Sequence, residues 1–199
     1  MPPLSNGDHL SLGEFERLWD LHPEIKKAEL INGVVFLEMS VSPIHSFAHS
    51  VVMGWLVSYW VSRMKFIELH DNVTLTLLST HDLQPDALLR FINGTSHNAG
   101  GAGIEGPPEL VVEVSASSAS RDLGSKRRIY QEAGVAEYVV WQLYENRVDW
   151  FVLESGRYIS VQADSSGVIE SRVFPGLRLP VEAMLRGDLA ALMAANSQA

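Results

Sequence analysis

With 199 residues and 46% hydrophobic side chains, the chain can bury the core of one domain and is too apolar for global disorder. It has no cysteine, which excludes a disulfide framework, thiol chemistry and thiolate metal sites and is compatible with a reducing cytoplasm. A formal net charge of −9 argues against a surface that grips nucleic acid over its whole extent, since phosphate binding is dominated by Lys and Arg, yet leaves room for a local basic patch.

In chain order, the N-terminal stretch lacks a basic region followed by an apolar run, so no secretory signal is expected. Ser11 with Glu14 is a capping-box pattern that predicts a short helix over "SLGEFERLWDL". "AELINGVVFLEM" predicts two strands about an Asn32-Gly33 turn, with Glu29 and Ile31 on one face. A helix is predicted from His45 to Met64. In it His45, His49, Val52, Leu56 and Tyr59 fall in one arc, which puts both histidines on the apolar stripe. Its most apolar part, Phe47 to Val61, is too short and interrupted to span a membrane.

Strands are predicted at Val73–Leu78, Ala87–Ile92 and Leu110–Ser115, with the Gly-rich stretch "NGTSHNAGGAGIEGPP" before the last read as a mobile loop. A helix follows from Ser120 to Ala133 and stops at Gly134. "EYVVWQLY", "RVDWFVL", "RYISVQ" and "VIESRVF" predict an antiparallel meander, "PGLRLPVEAML" a final helix, and "AANSQA" a frayed tail. The sum is an α/β fold: a mixed central sheet flanked by helices, a parallel strand–helix–strand unit over residues 110–143, and a C-terminal antiparallel meander. It is one domain over residues 1–199, with its core at about 11–185 and both termini frayed.

Two acids conflict with their surroundings. Glu113 stands between valines in an apolar strand, and Asp86 opens another directly after Pro85. An ionised carboxylate is costly to bury unless paired or metal-bound, and such conflicts mark candidate sites. On a helical wheel Lys126 falls on the inward face with Leu123, Ile129, Tyr130 and Ala133, while Arg127 and Arg128 point away. A strand running straight into this helix places Lys126 near Glu113. Asp86, Glu113 and Lys126, with Glu29 as a further acid, form the candidate catalytic set. Asp86 and Glu113 converging would suit Mg²⁺ or Mn²⁺, which lowers the pKa of a water and polarises a phosphoryl oxygen, and lysine would stabilise developing negative charge.

Plainer readings stand beside these. Glu113 with Lys126 can be a buried ion pair without chemistry, Asp86 a turn cap, and Glu29 part of a solvated edge. The basic cluster "SKRR", with Arg121 before it, can be a solvated helix face. His45 and His49 lack the glutamate of HExxH and read as core or site-lining histidines rather than zinc ligands; Ser115 is a further possible lining residue. Trp55, Trp60, Trp141 and Trp150 read as core or interface aromatics, and the apolar meander strands suggest a homodimer.

"AELINGVV", "QPDALLRF" and "PELVVEVSASSASRDLGSKRRIYQEAGVAEYVVW", with the meander after them, resemble the Uma-type restriction endonuclease family of the PD-(D/E)XK nuclease superfamily, over about residues 11 to 185. The resemblance implies a restriction-endonuclease-like core and a Mg²⁺-dependent, cytoplasmic endonuclease whose partner is DNA. It matches Asp86 to the PD acid, Glu113 to the (D/E) acid and Glu29 to an acid near the N-terminus. Ser115 stands where the superfamily has its lysine, and Lys126 matches the helix position that replaces it in the Uma-type pattern. The rival readings are a binding or regulatory protein that keeps the fold without turnover, and a hydrolase of a smaller phosphate ester.

Overall fold

Three sheets share the chain, and Lys126 joins an acid of one six-stranded sheet, Glu29, to an acid of the other, Glu113. The computed structural model describes residues 3–38, 41–100 and 103–197. Helix α1 (Leu12–Asp20) begins at the expected Ser11–Glu14 capping box. Strands β1 (Ala28–Ile31) and β2 (Val34–Leu37) form the expected hairpin, with Asn32 and Gly33 both at positive φ as its turn requires. Helix α2 (Pro43–Trp60) starts at Ser42, whose Oγ accepts the His45 N–H.

There follow β3 (Ile67–Asp71), β4 (Leu75–Leu77), β5 (His81–Leu83), β6 (Ala87–Phe91), β7 (His97–Asn98), β8 (Ile104–Glu105) and β9 (Leu110–Ser115). Helix α3 (Ala119–Arg121) runs through a π turn (Asp122–Lys126) into α4 (Arg127–Ala133), which ends at a left-handed Gly134. The rest is β10 (Glu137–Gln142), β11 (Arg147–Glu154), β12 (Arg157–Val161), β13 (Val168–Glu170), β14 (Arg178–Pro180), α5 (Val181–Leu185) and α6 (Leu189–Asn196).

The main sheet has the order β12-β11-β10-β9-β6-β3. β9 and β10 are parallel, with Glu113 opposite Val140, and the helix between them supplies the crossover. The other neighbours are antiparallel, so the sheet is mixed as expected. Alternation along β9 sends Val112 and Val114 into a core with Trp55, Leu89 and Trp150 under α2. Val111 goes the other way, into a core with Leu88, Ile129, Tyr130 and Val140 under α4. Glu113 shares that second face. The second six-stranded sheet, β2-β1-β5-β4-β8-β7, brings Glu29 towards the same place.

The structure departs from expectation in four ways. The helix predicted over Ser120–Ala133 is not a uniform α-helix: Asp122 is held at one end of the π turn by serine hydroxyls and Lys126 at the other by carboxylates, and the wider turn satisfies both. The Gly-rich stretch is not simply a loop. It carries β7 and β8, and Gly103 at φ +137 lets the backbone approach Thr74 so closely that a Cβ would lie 2.4 Å from the Thr74 carbonyl oxygen.

"VIESRVF" does not extend the meander; its strand β13 pairs with β14 in a separate two-stranded sheet. The tail is anchored as far as Asn196, which donates to the Trp55 carbonyl at 3.0 Å and to Ser58 Oγ at 2.9 Å and accepts from Arg178 N–H at 3.0 Å. At the other end Leu4 is buried against α1 and the hairpin, and residues 1–2 and 198–199 lie outside the described ones. Of the apolar side chains in β10 and β11 that suggested a dimer, Trp141, Trp150 and Val152 are core residues of the chain. Among the described residues no helix is long and apolar enough to cross a membrane.

Candidate active site

Asp86 lies just before β6, and Glu113 is in the next strand, β9, whose Val112 pairs with Ala87. The register puts both carboxylates at one end of the sheet. Asp86 is buried; its Oδ2 accepts the Val114 N–H at 2.7 Å and lies 3.4 Å from His45 Nε2, while its Oδ1 lies 3.4 Å from Lys27 Nζ. Burial acts to raise its pKa, but His45, Lys27 and the Val114 amide outweigh it and hold the carboxyl well below the usual carboxylate range. The same contact raises the His45 pKa.

Glu113 is held by Tyr130, whose hydroxyl donates to Oε1 at 2.8 Å, and by Lys126 Nζ at 2.5 Å from the same oxygen. Lys126 also donates to Glu29 Oε1 at 2.7 Å and lies 3.9 Å from Asp122 Oδ1. One buried ammonium thus serves two buried carboxylates. Burial opposes the charge on Lys126, but the acids around it raise its pKa well above the usual lysine range. Glu29 stays ionised against the cost of burial because Lys126 and the Gln84 N–H, 2.9 Å away, hold it. Glu113 goes the other way, pushed up to about 8 by burial, with Lys126 opposing and the charges of Asp122, Asp86 and Glu29 adding to the rise.

Asp86, Glu113 and Lys126 line a cleft of about 410 Å³, together with Lys27, Glu38, His45 and Arg121. Glu38 spans its mouth, with Oε1 3.3 Å from Arg121 Nη2 and Oε2 3.4 Å from Lys27 Nζ. Tyr144 also lines the cleft and is 66% exposed. A second hollow adjoins it, with His49 and Asn72 in its wall.

The structure brings three members of the candidate catalytic set, Asp86, Glu113 and Lys126, to the cleft lining and sets the fourth, Glu29, against the lysine from behind. Glu29 does not line the cleft; it stands behind Lys126. Ser115 does not line it either: the serine is buried and its Oγ donates to Asp122 Oδ2 at 2.5 Å, anchoring the start of the π turn. His45 contacts Asp86, whereas His49 Nε2 is engaged by the Asp86 backbone carbonyl at 3.0 Å and by Asp71 Oδ1 at 3.0 Å. The two rings lie nearly parallel with centroids 6.4 Å apart and do not converge on a point as a zinc pair would.

Lys27, Glu38, Asp122 and Tyr130 were not singled out as site residues. Lys27 carries a sequence signal, because alternation into β1 sets it two residues before Glu29. Asp122 carries another, one helical step (i, i+4) before Lys126. Glu38 carries none.

Among the described residues, no three His, Asp or Glu side chains gather as a metal site. Asp86 and Glu113 nonetheless open on one cleft, and that sparse oxygen donor set fits Mg²⁺ or Mn²⁺. Mg²⁺ takes one or two carboxylates and completes its shell with water and phosphate oxygens. It does not fit zinc, which prefers nitrogen and sulfur ligands.

Residues 12–182 match the model of a family described as "Uma2: Putative restriction endonuclease". Among solved structures, the chain is similar to the crystal structure of "a putative nuclease belonging to DUF820" from Anabaena variabilis. The identity is 14%, the match covers 89% of this chain and 98% of that one, and the TM-score is 0.71, a likeness of fold. None of the curated proteins compared with it matches.

Proposed function

The chain belongs to the Uma2 family of restriction-endonuclease type, and from that membership we propose that it is a nuclease, a Mg²⁺- or Mn²⁺-dependent endonuclease that hydrolyses DNA phosphodiester bonds. The observation that carries this reading is the opening of Asp86 and Glu113 on one cleft with Lys126 Nζ 2.5 Å from Glu113. In this reading Asp86 and Glu113 hold the divalent ion, which supplies polarisation of a phosphoryl oxygen and a more acidic water.

The protein's own groups do the rest. The Val114 N–H fixes the Asp86 carboxylate, and the Tyr130 hydroxyl fixes Glu113. Lys126 faces the acids from the helix, where its charge offsets negative charge gathering on the phosphate. Glu29, behind the lysine, acts as a positioning residue that keeps the ammonium charged and in place.

One observation favours a second reading, a nuclease fold that binds without cutting: both close carboxylate partners of Lys126 belong to the protein, so the lysine can serve a purely structural ion pair. The net charge of −9 favours hydrolysis of a smaller phosphate ester. A Mg²⁺- or Mn²⁺-dependent cleavage assay on DNA and RNA, with Asp86→Ala as control, tests the proposal. Calorimetry adds a second measurement: Asp86→Asn and Glu113→Gln should each abolish metal binding, and unchanged affinity in both rejects the shared site. Steep loss of DNA binding with salt supports a nucleic-acid substrate, and no DNA binding favours the small ester.

A further inference from the structure

Lys27 and Arg121 reach the cleft mouth from unrelated parts of the chain, one just before β1 and the other at the end of α3. Between them stands a single carboxylate. Each oxygen of Glu38 faces a different cation, Arg121 at 3.3 Å and Lys27 at 3.4 Å. Both separations are long for charge-assisted hydrogen bonds. All three side chains keep contact with solvent, at 16% exposure for Lys27, 22% for Arg121 and 30% for Glu38. The Arg121 guanidinium lies 5.0 Å from the Phe36 ring centroid, which restrains its plane, and its buried Nε faces Glu29 Oε2 at 3.8 Å, too far for a hydrogen bond. Lys27 is also 3.4 Å from Asp86 Oδ1, so the arrangement borders the acids.

We propose that Lys27 and Arg121 form a phosphate clamp for the DNA backbone, occupied in the free protein by the Glu38 carboxylate, which a backbone phosphate displaces on binding. This rests on the DNA reading above. A phosphodiester offers the same features as the carboxylate it replaces: one negative charge and two outward oxygens. The arginine fork matches two such oxygens, and the lysine adds a point charge. Glu38 then has a definite effect. It lowers affinity, so that in an acidic protein DNA is held at the cleft only where a phosphate can outcompete an internal anion.

The test is DNA binding by the full-length protein in EDTA, followed by anisotropy of a short labelled duplex, with thermal unfolding of every variant. Glu38→Gln should bind about 3- to 10-fold more tightly, because one repelling charge is removed. Arg121→Gln and Lys27→Gln should each weaken binding and reduce the log–log salt slope by about one. In a chain carrying both of those changes, Glu38→Gln should gain much less, because only the screened repulsion of DNA by Glu38 is then removed. If Glu38→Gln leaves affinity unchanged, or lowers both affinity and melting temperature, Glu38 is a structural strap and the clamp is overturned.

Competition by inorganic phosphate separates the two readings. If no variant binds DNA but Glu38→Gln binds phosphate more tightly than wild type, the clamp stands and the DNA substrate falls. If wild type cleaves DNA with Mg²⁺ while Glu38→Gln changes neither DNA nor phosphate binding, the nuclease stands and the clamp falls.

Discussion

Lys126 Nζ lies 2.5 Å from Glu113 Oε1, and both side chains are buried. The lysine is equally committed to Glu29, at 2.7 Å. A single positive charge between two carboxylates cannot fully compensate both, and the excess falls on Glu113, which also faces Asp122 and Asp86.

The first prediction is a pH dependence of the metal-free protein. Burial pushes the Glu113 carboxyl up to about 8 in the fold, above its ordinary 4.5. Between those values the folded state binds more protons than the unfolded one, so stability is full below the lower value and is lost as pH rises through the upper. Urea unfolding in EDTA from about pH 5 to pH 9 should show this decline, and Glu113→Gln should flatten it. Lys126 keeps Glu29 in that variant, so the change should cost little at the acid end. A loss of about 3–5 kcal/mol there would instead make Glu113 the structural partner of the lysine.

Lys126→Met keeps the apolar stem and removes the charge. If the ammonium offsets charge on the phosphate, single-turnover cleavage at saturating Mg²⁺ should fall by about 10²–10³-fold. Metal affinity should survive, because the carboxylates remain. Arg127 is exposed, with its guanidinium 5.1 Å from the Phe151 ring centroid, and Arg127→Met should leave the chemical step nearly intact. Equal single-turnover rates for wild type and Lys126→Met would take the lysine out of the mechanism and leave a protein that binds without cutting.

Asn196→Ala tests the anchored tail. It removes three hydrogen bonds, to Trp55, Ser58 and Arg178, and leaves a backbone carbonyl and a backbone amide in need of partners. A loss of about 1–3 kcal/mol in urea unfolding is expected. Unchanged stability would mean that α6 is held by its apolar side chains alone.

Gly103→Ala tests the strand pair in the Gly-rich stretch. The backbone there is at φ +137, and the added methyl would meet the Thr74 carbonyl oxygen at 2.4 Å. The melting temperature should drop by about 2–4 °C for each roughly 1 kcal/mol of destabilisation, the shift expected for a domain of this size. A neutral result would show that the β4–β8 pairing tolerates separation.

Much of this was legible in the chain. The capping box at Ser11, the Asn32-Gly33 turn, the β9 run and the Gly134 stop are local signals, and each stands where it was read. Asp86, Glu113 and Lys126 were legible because each broke the pattern of its own element, and the fold places all three on one cleft. What escaped was set by partners far along the chain. β3 and β5 are short and mixed in polarity, and only pairing makes them strands. β8 owes its place to Thr74 and Ile104 to burial under a neighbouring sheet. Glu38 at the end of a hairpin looks like any solvated acid; its role exists because Lys27 and Arg121 arrive on either side.

The π turn from Asp122 to Lys126 has a consequence for ancestry. A wide turn absorbs one residue within a helix without looping it out, while the flanking α-helical turns keep their packing. It is therefore a place where a change of one residue in length would disturb the core least. Ile129 and Tyr130 sit beyond it and are buried, whereas Lys126 is the last residue within it. Relatives one residue shorter between these positions should therefore keep the fold with a regular helix and a displaced lysine. If Lys126 takes part in cutting, as proposed above, such relatives would keep the shape and lose the activity.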